Sequence, residues 1–173
     1  METMERTREL FEAAREGQAD RLKDMLTADP ALANAENADG LTLLGFAAHF
    51  GRTVAVQAVL DAGAEVNALS HSVISYIPSN TALHAAIAGE RELDVIRLLL
   101  RRGADPRIAD SNGHTPLHTA AFHDDNEDIV RLLLEQGAEV NARGGGGETA
   151  LALAVQRGND SVAEMLRRHG GQL

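Results

Sequence analysis

An all-α stack of repeated helix–turn–helix units is the expected fold of this chain, and three observations carry that expectation. The first is internal repetition. Thr81-Ala82-Leu83-His84-Ala85-Ala86, Thr115-Pro116-Leu117-His118-Thr119-Ala120 and Thr149-Ala150-Leu151-Ala152-Leu153-Ala154 align with their threonines at equal steps, and Thr42-Leu43-Leu44-Gly45-Phe46-Ala47-Ala48 keeps the pattern one slightly longer step earlier. The second is an anchor in phase with it, Gly63-Ala64-Glu65-Val66-Asn67-Ala68, Gly103-Ala104-Asp105-Pro106, Gly137-Ala138-Glu139-Val140-Asn141-Ala142 and a last Gly170. The third is helical apolar spacing between the anchors, as in Leu117, Ala120 and Ala121 followed by Ile129, Val130, Leu132 and Leu133. A fixed step of this size is the mark of stacked supersecondary units that each need a neighbour to bury their apolar face.

Each element has a local reason. Thr at the head of the first helix is a candidate N-cap, and Pro116 sits at the first helical position, where its missing N–H costs nothing. Gly63, Gly103 and Gly137 follow Leu-rich segments and suit helix-ending residues in the left-handed region. The paired alanines allow close approach of helices. The Thr-to-Gly distances of 21, 22, 22 and 21 place one extra residue in two units, in the turn between their helices. An incomplete first unit fits by phase, since Ala13-Ala14 and Gly17 lie one regular step before Ala47-Ala48 and Gly51.

These motifs closely resemble the ankyrin repeat, whose period is about 33 and whose signature is T-P-L-H-x-A. The unit from Thr115 to Ala142 carries the resemblance most completely, and it extends over about residues 8–170. It implies an ankyrin-repeat solenoid, its helix pairs joined by hairpin loops, in one domain, residues 1–173. The approximate units are 5–37, 38–70, 71–110, 111–143 and 144–173, the first and last being irregular caps.

Composition narrows the function. The 173 residues carry 16 Lys and Arg against 26 Asp and Glu, a net charge of −10. That balance argues against nucleic acid or an anionic membrane as main partner, because each needs a cationic face. With no Cys, disulfides, thiolate catalysis and Cys-ligated metal are excluded. No apolar run approaches the roughly 20 residues of a membrane span. Met1–Arg8 is of mixed charge and lacks the apolar stretch of a secretory signal, so a cytoplasmic protein is expected.

Catalytic, cofactor and metal sites are not expected. There is no GxSxG, HExxH or P-loop pattern. Arg143-Gly144-Gly145-Gly146-Gly147-Glu148-Thr149-Ala150 contains GxGxxA, but Gly147 falls one regular step after Gly113. That is the ordinary hairpin slot, where the glycines should loosen the hairpin. His84 and His118 occupy the signature slot, where the resemblance implies hydrogen bonds tying hairpin to helix. His114, His123, Asp124 and Asp125 do not converge with His118 as metal ligands. Asp124-Asp125-Asn126-Glu127-Asp128 reads as an N-cap and first-turn carboxylates for the helix that follows.

The resemblance also implies a partner protein, bound by hairpin tips and the exposed side of each first helix on a concave face. The corresponding residues are Ala38, Asp39, Leu41, His49 and Phe50, then Ala88 and Gly89. They continue with Ser111, Asn112, His114, Phe122 and His123, and end with Arg143, Glu148, Gln156 and Arg157. Phe50 and Phe122 are read as equivalent slots at the end of a first helix, each beside a His, and as apolar anchors or as half-buried packing. The segment 69–80 interrupts the period with Ile74 and the only Tyr, Tyr76. It is either a lengthened hairpin folded back on the stack or a binding finger. The chain is expected to be a monomer. Two alternatives stay open: a structural or engineered repeat scaffold without a dedicated partner, and a small-ligand protein or enzyme using 69–80, His49, Tyr76 and His123.

Overall fold

The structure is a computed structural model that describes residues 2–173, so Met1 of the N-terminal stretch lies outside it. Its helices are α1 (Glu2–Glu16), α2 (Ala19–Ala28), α3 (Leu43–His49), α4 (Thr53–Asp61), α5 (Ala82–Ala88), α6 (Leu93–Arg101), α7 (Pro116–His123), α8 (Glu127–Glu135), α9 (Ala150–Arg157) and α10 (Asp160–Arg168). A 3₁₀ turn spans Pro30–Asn34. Among the described residues, β pairing is limited to an isolated bridge between Glu36 and Thr42. The chain forms two compact units, Met1–Ala104 and Asp105–Leu173.

In the first unit, α1 begins at Glu2, ahead of the residue-5 boundary expected from the period. Thr42 and Thr81 are the N-caps of α3 and α5: Thr42 Oγ1 accepts from Gly45 N–H at 3.0 Å, and Thr81 Oγ1 from His84 N–H at 3.5 Å. The core stacks Leu10, Leu22, Leu43, Leu83, Ile87, Ile96 and Leu99, all buried. Helix α6 explains itself from its spacing. Val95, Ile96, Leu98, Leu99 and Leu100 go inside, while Asp94, Arg97 and Arg101 face water. Each fully buried Leu or Ile contributes about 1.5–3 kcal/mol of transfer free energy.

The second unit repeats the scheme with Thr115 and Thr149 at the N-caps and Leu117, Ile129, Leu133 and Leu166 buried. Leu132, grouped above with the apolar stripe, is only half-buried: one residue rotates the helix by about 100° and takes it off the inner side.

The spacing arithmetic is realised in the inter-helix turns. Between seven-residue helices and their partners the turn is Phe50–Arg52 in one case and Gly89–Glu92, one residue longer, in the other. After the eight-residue helices it is Gly158–Asn159 or, one longer, Asp124–Asn126. The expected helix stops are in the left-handed region, with φ of 101°, 98° and 95° at Gly63, Gly103 and Gly137.

Candidate functional site

The signature residues turn inward. The buried His118 ring takes the Thr115 N–H on Nδ1 at 3.1 Å, with Thr115 Oγ1 at 2.9 Å from the same nitrogen. Nε2 therefore carries the proton and donates to the Glu148 carbonyl at 3.1 Å, tying α7 to the following hairpin. Burial pushes the His118 pKa down, the largest effect, against a smaller upward pull from that carbonyl. His84 makes the same Nδ1 contacts with Thr81, N–H at 3.3 Å and Oγ1 at 2.8 Å. The family resemblance implies such bonds, and the geometry agrees.

What remains outside is the chemically varied set. In the first unit Asp39 is exposed at a hairpin tip where Asn37 Oδ1 accepts the N–H groups of both Asp39 and Leu41 at 3.0 Å, leaving Leu41 half-buried. His49 is exposed, and its carbonyl accepts Glu90 N–H at 2.9 Å. A Cβ on Gly89 would collide with that carbonyl, so glycine permits the approach; Ala88 beside it is half-buried.

Phe50 and Phe122 do not occupy equivalent slots. Phe50 stands eight positions after Thr42 and Phe122 seven after Thr115, so Phe122 matches His49 and Phe50 matches His123. The one-residue offset puts Phe50 at the C-cap of α3 and Phe122 inside α7, so the two rings face different surroundings. Phe50 is half-buried, edge-on to Phe46 at 5.0 Å, and Phe46 in turn meets Phe11 at 5.2 Å. Phe122 is 40% exposed, with the Arg157 guanidinium 4.4 Å above its ring centre and His123 edge-on at 5.2 Å. Of the two, Phe122 is the more exposed ring.

In the second unit Ser111 and Asn112 are exposed on a tip closed by Asp110, whose Oδ1 accepts Asn112 N–H at 2.9 Å and His114 N–H at 3.0 Å. His114 and Glu148 are bonded to each other through Nε2 and Oε1, and His114 stacks on His118 at 5.2 Å. The Glu148 carboxyl is held below its usual range first by its own backbone N–H and then by His114. Arg143 donates to the Gly147 carbonyl at 2.7 Å, and Gln156 and Arg157 are exposed. The glycine hairpin is packed rather than loose: Gly145 N–H donates to the Asn112 carbonyl at 3.0 Å, and a Cβ there would stand 2.5 Å from that oxygen.

The acidic run divides its work. Asn126 caps α8, accepting Asp128 N–H at 3.0 Å and Ile129 N–H at 3.3 Å. Asp125 instead reaches α10, accepting Val162 N–H at 2.8 Å and Ser161 N–H at 3.3 Å, and the Val162 bond is the main cause of its lowered pKa. Asn159 returns the contact by donating to the Ala121 carbonyl at 2.8 Å. The hairpin asparagines act alike: Asn67 and Asn141 each donate at 3.0 Å to the carbonyl of the next helix-stop glycine, Gly103 and Gly170. Their recurrence at one phase of the repeat was the available signal.

The segment 69–80 forms neither strand nor helix. Ile74 and Ile77 are half-buried, whereas Val73 and Tyr76 are 74% and 82% exposed, so only part of it folds back and Tyr76 lines no enclosed cavity. Among the described residues, no cluster of three or more His, Asp or Glu has metal-binding geometry, and no helix is long and apolar enough to cross a membrane.

Buried signature side chains and chemically diverse exposed tips define a class: a helical repeat protein whose signature residues serve the framework. A sequence model described as ankyrin repeats in three copies matches residues 10–110, 71–144 and 91–173. The chain belongs to the ankyrin-repeat family, whose repeats are in general protein-interaction modules. It is also similar to the E3 ubiquitin-protein ligase hecd-1 of Caenorhabditis elegans, at 33% identity over 108 residues. That match covers 62% of this chain and 4% of the relative, so the chain spans a small fraction of that protein's length.

Proposed function

We propose that this chain binds a partner protein through its hairpin tips and the exposed ends of its first helices. Asp39, Leu41, His49 and the 69–80 segment with Ile74 and Tyr76 would serve in the first unit. Ser111, Asn112, Phe122, His123, Arg143, Gln156 and Arg157 would serve in the second, with the His114–Glu148 pair holding the hairpin in shape. The observation that carries this reading is Phe122, a large ring left 40% exposed at the end of a helix and already roofed by a guanidinium. Such a ring loses water only in a complex, as an interface anchor does. In this reading the chain is a cytoplasmic monomer, one continuous domain, and carries out no reaction of its own.

The test is affinity capture followed by a quantitative binding assay on the recovered protein. Phe122→Ala should weaken binding by about 1–3 kcal/mol with the circular dichroism spectrum retained. Arg131→Ala, on the outer helix α8 and paired there with Asp128, should leave it unchanged. If Arg131 matters and Phe122 does not, the partner sits on the opposite side and the reading falls.

A further inference from the structure

The segment 69–80 departs from the repeat where the scaffold has its own requirements. The slot five positions before the capping Thr holds Asn37 and Asp110 in two other units, where the side chain closes the hairpin turn. In the third unit that slot is Tyr76, and the glycine slot matched by Gly40, Gly113 and Gly147 is Ser79. Neither substitute helps the turn form in the usual way.

The segment is nonetheless fixed. Its ends are joined by Ser70 N–H to the Asn80 carbonyl at 2.9 Å and Asn80 N–H to Ser70 Oγ at 3.0 Å. Its rising arm lies on the preceding hairpin, with His71 N–H on the Gly40 carbonyl at 2.8 Å and Val73 N–H on the Asp39 carbonyl at 3.0 Å. A tight turn, Ile77 N–H to the Ile74 carbonyl at 3.1 Å, lifts Val73 and Tyr76 outward. Two large apolar side chains are thus held in water on a preformed loop, so little ordering entropy remains to be lost on binding.

Acidic residues outnumber basic ones in the flanking sequence, with Asp61 already paired to Arg102 at 2.9 Å. From Ala31 to Glu90 the only Lys or Arg is Arg52, against Glu36, Asp39, Asp61, Glu65 and Glu90. Arg52 is turned back to the first helix pair, its Nε donating to the Arg15 carbonyl at 2.8 Å. Beside the finger, the Asp39 carboxylate has no cationic partner among the described residues, and Glu36 faces the His71 ring at 2.5 Å.

We infer that Val73 and Tyr76 form a finger that inserts into an apolar cleft rimmed by Lys or Arg on a partner protein, with Asp39 and Glu36 meeting the rim. Apolar insertion supplies the affinity, and the acidic collar selects the cationic rim and speeds encounter. This rests on the interaction reading above and deepens it at the 69–80 segment, adding Val73 and the partner's chemistry.

The experiment places a photo-crosslinker on the full chain by Tyr76→p-benzoylphenylalanine, expressed in cells of its source organism, with Phe122→p-benzoylphenylalanine in parallel. The expected adduct lies on an aliphatic residue flanked by Lys or Arg. Its yield should fall roughly tenfold with Val73→Ser, and again by roughly tenfold when lysates are irradiated at high rather than low salt. Both positions are exposed, so folding is checked simply by circular dichroism. An adduct on an acidic surface, a lipid or a second copy of this chain overturns the inference. So does an adduct at position 122 with none at 76, which leaves the broader interaction reading standing. No adduct at either position sinks both.

Discussion

The carboxylate of Asp125 accepts the backbone N–H of Val162 at 2.8 Å across 37 residues of sequence, and so caps a helix to which it is not joined. Val162 lies in the first turn of α10, where backbone donors lack an intrahelical partner. The residue before α10, Asn159, makes no capping bond of its own and donates instead to the Ala121 carbonyl. The two helix pairs of this unit are therefore cross-linked at their turns by side chains that each satisfy the other's backbone.

Asp125→Ala should lower stability by about 0.5–2 kcal/mol, the range for a lost N-cap, with Asp125→Asn losing less because an amide oxygen still accepts. Chemical denaturation of the three proteins checks the order. Equal midpoints for wild type and Asp125→Ala would show that the cap contributes nothing. The lowered Asp125 pKa adds a pH signature: this stabilisation is present above its ordinary value near 3.8 and is lost as pH falls through the lower, folded value.

His118 should make the protein acid-sensitive in a higher range. Its folded pKa is depressed from 6.5, so below about pH 6.5 the unfolded chain binds the proton more readily than the folded one. Stability should decline as pH falls from 6.5 toward the folded value, because a proton on Nδ1 removes the acceptor for Thr115 N–H. Thermal melts between about pH 7.5 and 5.5 should show this slope in wild type and a flatter one in His118→Gln. A His118→Gln profile as steep as wild type would assign the slope to other histidines.

Leu133 and Leu132 separate the inner stripe of α8 from its margin. Leu133→Ala should cost about 2–5 kcal/mol as a fully buried truncation, and Leu132→Ala clearly less, since its side chain is half-buried. Equal costs would mean that the helix is rotated from the phase described.

Phe50 and Phe122 should likewise part company in a melt. Phe50→Ala removes an edge-to-face contact with Phe46 and should lower the melting temperature. Phe122→Ala should leave it nearly unchanged.

Gly40→Ala should be among the more damaging single-methyl changes. Gly40 has φ of 76°, and a Cβ there would run into the carbonyl of His71, whose N–H is already bound to the Gly40 carbonyl. Left-handed strain alone costs about 1–2 kcal/mol. Gly63→Ala, with φ of 101° and open space around the added atom, should show the strain without the collision. Urea denaturation should rank Gly40→Ala below Gly63→Ala, and the reverse order would misplace the loop.

Whatever is local and periodic could be read before folding. The threonine caps, the inward signature histidines and the left-handed glycine stops depend on neighbours a few residues away or on the same slot one repeat later. A motif and its spacing therefore suffice to read them. Features that join different repeats, or that depend on helix rotation, emerge only in the folded chain. The reach of Asp125 to α10, the bond between His114 and Glu148 across 34 residues, and the packing of the glycine hairpin arise from contacts that no local motif encodes. Phe50 and Phe122 are separated by a single residue of phase, which puts one at a helix C-cap and the other inside a helix and is the difference between a packing ring and an exposed one. The 69–80 segment is the clearest case. Its β-formers offered both a folded-back loop and a finger, and only the hydrogen bonds to Gly40 and Asp39 fix which side chains turn inward and leave Val73 and Tyr76 in water.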